Sequence, residues 1–159
     1  MARTSGPSGF SLVLDSRSWE ELLHAGNYDW VAHYAQKILE SKSATAFETQ
    51  GDIEIVLLDS YSLPALSRAG YELPHPLDAL RFGERYPQEQ CSRPIIFPHE
   101  PWAGPHGPSF VLVLRTDENQ VRGLSYAPYS GLLDDWWPVP RIAVRRSGGA
   151  GYRFPRRIV

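Results

Sequence analysis

The side chains best suited to chemistry lie close together: His99, Glu100 and His106, all within residues 94–108, PIIFPHEPWAGPHGP. Imidazole nitrogen and carboxylate oxygen suit zinc or another transition ion. A histidine beside an acid also suits general acid–base hydrolysis near neutral pH. Neither constellation is complete. Residues 99 and 100 point apart on an extended chain, the spacing to His106 matches no helical metal motif, and a further ligand must come from elsewhere, such as Asp134 or Asp135. Closely spaced prolines fix φ and remove amide donors, so the stretch reads as a stiff loop, neither helix nor central strand. The simpler reading gives it solvent-facing histidines and no metal or cofactor.

Other nucleophile candidates are weaker. Residues 123–127, GLSYA, resemble a nucleophile elbow, but Pro128 follows where a helix must start and Ser125 falls inside an expected strand. Cys91 stands two residues from Arg93 without a local catalytic signature, and as the single cysteine it permits no disulfide framework within the chain.

Two clusters suit recognition. Asp134-Asp135-Trp136-Trp137 joins adjacent indoles, which are enriched at binding hot spots, to two acids that can receive a basic partner. Trp102 belongs with them, because antiparallel pairing brings the start of one hairpin strand beside the end of the next, and so Pro108 beside Pro128. The other cluster is cationic. If residues 141–146 and 152–159 form a hairpin, Ile142, Val144, Tyr152, Phe154 and Ile158 share one face, and Arg141, Arg145, Arg153 and Arg157 the other. That second face can contact phosphates of a nucleic acid, or it can be neutralised by the body of the protein. The glycine-rich 147–152 lacks the lysine and following helix of a phosphate loop.

The charge distribution bears on partners. The formal net charge is only −2, yet all eighteen acids lie at or before Asp135, and residues 141–159 hold six arginines and no acid. An acidic body with a basic tail favours a basic protein partner. Arginine outnumbers lysine fourteen to two, a bias that genomic base composition explains equally well. The amino terminus has no apolar segment of signal-peptide length and no stretch approaches a membrane span, so a cytoplasmic protein with no membrane contact is expected.

The positioning elements follow from periodicity. The chain, 159 residues, suits a single domain with residues 1–9 as a frayed terminus. Residues 10–14 read as a first strand. Ser18-Trp-Glu-Glu21 has capping-box spacing and starts a short helix ended at Gly26-Asn27. Val31, Tyr34, Ala35, Ile38 and Leu39 form the stripe of an amphipathic helix. Residues 45–49 and 53–58 form a hairpin about Gln50-Gly51-Asp52, residues 62–69 and 76–82 short helices, and residues 83–94 an irregular link. A second hairpin joins 109–115 to 120–127, and the basic hairpin closes the chain. The expected class is α+β: a mainly antiparallel sheet built of hairpins, with helices concentrated in the first half.

These readings favour a protein-interaction module of the inhibitor or immunity type, using Trp102, Asp134, Asp135, Trp136 and Trp137. The alternatives are a hydrolase built on His99, Glu100 and His106, with or without a metal, and a nucleic-acid binder using the terminal hairpin.

Overall fold

A computed structural model describes residues 9–42, 51–59, 68–129 and 139–146. Eight strands form one mixed sheet: β1 (Gly9–Leu14), β2 (Trp30–Val31), β3 (Gly51–Leu58), β4 (Tyr71–Glu72), β5 (Ile95–Ala103), β6 (Ser109–Thr116), β7 (Arg122–Pro128) and β8 (Arg141–Arg146). Their order is β1-β3-β8-β5-β6-β7-β2, with β4 pairing β8 off this path. The pairs β5–β8 and β2–β7 are parallel, so the sheet is mixed where a mainly antiparallel one was expected. The described helices are α1 (Trp19–Ala25), α2 (His33–Lys42), α3 (Pro76–Arg85) and the single turn α4 (Glu89–Ser92).

Local chemistry sets the helix starts. Ser18 accepts from the Glu21 amide at 3.2 Å and turns its hydroxyl to the Glu21 carboxylate at 3.3 Å, satisfying an otherwise orphaned donor. At α3 the cap is His75: its Nδ1 accepts from the Leu77 amide, while Asp78 accepts from the His75 amide at 2.8 Å. Pro76 follows at a position where a missing amide hydrogen costs nothing.

Both faces of the sheet are apolar. Ala35, Ile38 and Leu39 of α2, with Leu77, Leu80 and Phe82 of α3, are buried on Leu12, Ile55, Ile95, Phe97, Leu112, Leu114, Leu124 and Ala143. The alternate residues Val56, Ile96, Val111, Val113, Ala127, Ile142 and Val144 form a second buried cluster. Period-two alternation with both faces buried gives the near-continuous apolar runs of the inner strands. Each Val, Leu, Ile or Phe among them contributes about 1.5–3 kcal/mol on burial.

Several expectations change. Residues 95–103 are not a loop: they form β5, which lies between β8 and β6. Gly51 and Asp52 do not turn but begin β3, opposite Leu14 and Val13. Val31 belongs to β2 and pairs with Leu124, so the α2 stripe starts at Tyr34. The link at 83–94 contains the end of α3 and all of α4. The hairpin β6–β7 forms over the expected residues, with Asp117 Oδ1 accepting from the amides of Asn119 and Val121 in its turn. Residues 45–49, 62–67 and 152–159, assigned above to a strand, a helix and a strand, lie outside the described residues.

Candidate recognition surface

Pro98 and Pro101 set the geometry of the expected catalytic stretch. Phe97 pairs with Leu112 and Trp102 with Phe110, so the four residues 98–101 face the single residue Val111. The excess bulges out of the ladder, which is where a strand tolerates proline. His99 repairs the interrupted pairing. Its Nε2 accepts from the Leu112 amide at 3.0 Å, which places the ring proton on Nδ1, 2.7 Å from the Glu100 carbonyl that receives it. The ring is fully buried. Both nitrogens are therefore committed to main chain, and His99 is neither solvent-facing nor placed to act as a base.

Glu100 and His106 are exposed. Among the described residues no group of three or more His, Cys, Asp and Glu side chains is placed to hold a metal. Ser125 lies inside β7 at 9% exposure, on a strand with no elbow. Cys91 is half-buried, its thiol 3.7 Å from the Pro87 carbonyl.

The cationic face is also re-read. Parity holds, since Ile142 and Val144 lie on one side of β8 and Arg145 on the other. The environment differs, because β8 is an inner strand and its second side lies under α3. Arg145, 2% exposed, binds the Asp78 carboxylate through Nε at 2.5 Å and Nη2 at 2.7 Å, a bidentate pair. Arg141 donates to the Glu89 carbonyl at 2.8 Å and its carboxylate at 3.2 Å. These two arginines serve the fold; Arg153 and Arg157 lie outside the described residues.

What gathers at the surface is aromatic. Trp102, half-buried on β5, stands across from Phe110 on β6 with ring centroids 6.3 Å apart. Tyr34, in the first turn of α2, meets Trp102 at 5.7 Å, Phe110 at 5.5 Å and Tyr126 of β7 at 5.2 Å. Edge-on and tilted pairs at these separations are the favourable arrangement for aromatic rings. Phe110 forms the floor at 8% exposure, while Tyr34, Trp102 and Tyr126 each keep part of their surface in solvent. His33 continues the row, its ring 5.8 Å from Tyr34.

Beside Trp102 runs the exposed loop 103–108. The Gly104 amide donates to the Pro108 carbonyl at 3.0 Å, and Gly107 takes φ +100°, which only glycine adopts without strain. Pro108 and Pro128 lie at the same end of the sheet: Phe110 pairs with Pro128, and the Tyr129 amide donates to Ser109 at 2.8 Å. Asp134, Asp135, Trp136 and Trp137 lie outside the described residues. The sequence reading missed Tyr34, Phe110 and Tyr126. Tyr34 was absorbed in a core stripe, and cross-strand register, the one signal joining Phe110 and Tyr126 to Trp102, becomes readable only once pairing is fixed. Comparison with protein-family models, with curated proteins and with solved structures gave no significant match.

Proposed function

We propose that the protein is a protein-interaction module of the inhibitor or immunity type, which engages a partner protein through the aromatic surface around Trp102. The observation that carries this reading is the cluster of Tyr34, Trp102 and Tyr126, three partly exposed rings fixed on two strands and a helix above Phe110. Rigid aromatics bury large area at little entropic cost, and tryptophan and tyrosine dominate interface hot spots. The acidic balance of residues 1–140, eighteen acids against ten lysines and arginines, favours a basic partner. Asp134, Asp135, Trp136 and Trp137 lie outside the described residues and are proposed as further partner-binding residues on their chemistry alone, paired indoles beside two acids. A cytoplasmic location accords with this role. Among the described residues, no helix is long and apolar enough to cross a membrane.

The hydrolase reading is weakened because His99 spends both ring nitrogens on main chain. The nucleic-acid reading is weakened because Arg145 and Arg141 face carboxylates of the protein itself.

Affinity capture from the native host, run in parallel with Trp102→Ala and followed by mass identification, tests the proposal. The expected result is one protein retained by the natural chain and lost by the variant. Equal retention by both would remove the aromatic surface from the interaction.

A further inference from the structure

The outer edge of β7 is paired along only half of its length. The Asp29 amide donates to the Arg122 carbonyl and the Ala32 amide to the Leu124 carbonyl, each at 2.9 Å, so the even-numbered residues of β7 turn their main-chain groups towards β2. The Tyr129 amide donates the other way, to the Ser109 carbonyl at 2.8 Å, and the β6–β7 register runs unbroken from Arg122 to Pro128. Alternation along this ladder assigns Ser125 and Ala127 to β6 and turns the Tyr126 amide and carbonyl outwards. β2 ends at Val31, opposite Leu124, where the chain passes into α2. Among the described residues nothing takes up the outward groups of Tyr126 or the Pro128 carbonyl.

This open stretch borders the aromatic surface, because the Tyr126 ring itself belongs to it and lies 5.2 Å from Tyr34. Pro128 is exposed at the end of the strand, an edge position at which its missing amide hydrogen interrupts no ladder.

We propose that the edge of β7 from Tyr126 to Pro128 receives an extended, basic segment of the partner protein, which adds a short strand in line with β2. With the aromatic surface read as the partner site, on which this inference rests, the added strand gives the form in which the partner binds. Such a strand exchanges hydrogen bonds with the Tyr126 amide and carbonyl and donates to the Pro128 carbonyl; in this mode main-chain bonds supply affinity and alternate side chains supply specificity. Its residue opposite Tyr126 places an apolar side chain on the same face, beside the Tyr34 ring, and the pleat sends the neighbouring side chains to the other face. The acidic balance of residues 1–140 favours basic side chains at those neighbouring positions. A second copy of the chain does not fit: two-fold pairing of two β7 edges centred on Tyr126 sets Pro128 of one copy against Leu124 of the other, where β2 already stands.

The test is NMR of the full chain, with a blocked pentapeptide of alternating arginine and valine as the probe. In the free chain the Tyr126 amide should exchange with solvent fast and the Ser125 and Ala127 amides slowly. The peptide should give saturable shifts at Leu124, Tyr126 and Ala127 and slow the exchange of Tyr126. N-methylation of its valines and of its arginines, in two separate peptides, removes donors from opposite edges of the added strand. Whichever way that strand runs, one methylated peptide should lose about tenfold or more in affinity, the value of two hydrogen bonds, and the other should keep it. A Tyr126 amide as slow as its neighbours in the free chain, an absence of saturable shifts, or equal affinities of the two methylated peptides would overturn the proposal. Capture with Trp102→Ala reads the aromatic surface and this titration reads the edge, so each can fail without the other.

Discussion

His99 holds two strands together at a point where Pro98 and Pro101 bring no amide hydrogen to β5. Replacing it with alanine strands the buried Leu112 amide, so His99→Ala should cost about 1–3 kcal/mol in denaturant unfolding. His106→Ala on the exposed loop should stay within about 0.5 kcal/mol. Equal effects of the two would contradict the assigned role. Asp78 is a second such residue, since it closes the α3 cap and binds Arg145. Asp78→Ala should cost about 3–5 kcal/mol, and the double variant Asp78→Leu with Arg145→Met should recover part of that loss, because the penalty lies in the charge left buried. Tyr28 gives a test in pH. Its hydroxyl is buried with no hydrogen-bond partner among the described residues, and burial pushes its ionisation well above the ordinary value. The folded state keeps a proton that the unfolded chain releases, so the stability is fully present below about pH 10 and falls as pH rises beyond it. Tyr28→Phe should be nearly neutral at pH 7 and should flatten that alkaline decline in thermal melts.

At the scale of elements, legibility in the sequence followed the range of the interactions. The helices α2 and α3 and the hairpin β6–β7 were readable because caps, stripes and turns act within a few residues. β5 was not, because proline is tolerated in a strand only at an edge or a bulge, and neither the bulge nor the histidine ring that repairs the ladder has a local sequence signal. β8 shows the reverse failure: alternation put Arg145 opposite Val144 correctly, but only tertiary placement reveals Asp78 above it. The parallel pairs join residues far apart in sequence, such as Trp30 with Gly123, and no local signal announces them. Of the candidate site, Trp102 was legible from its rigid setting, while Tyr34, Phe110 and Tyr126 needed the register. Two variants test the element assignments. Ile38→Asp, on the fully buried face of α2, should lower stability by several kcal/mol. Gly123→Ala should also destabilise, since a β-carbon there would stand 1.9 Å from the Trp30 ring. An unchanged melting temperature in either case would show that α2 or β2 does not dock as described.

For the whole molecule, the described residues divide their polar chemistry between fold and surface. The buried charged groups Asp78, Arg81 and Arg145 cluster about α3 and β8. One group of partly exposed aromatics, Tyr34, Trp102 and Tyr126, gathers instead where β5 ends, β6 starts, β7 ends and α2 begins. These rings pack on the core with one side and keep the other in solvent, so their role in recognition is tested by affinity in variants that remain folded. The most direct measurement is calorimetric titration of the captured partner against the natural chain and Trp102→Ala, with denaturant unfolding of both chains alongside. The account predicts that the variant, less stable through its lost contacts with Tyr34 and Phe110 but still folded at the assay temperature, binds more weakly by about 2 kcal/mol. Unchanged affinity of the folded variant would contradict it.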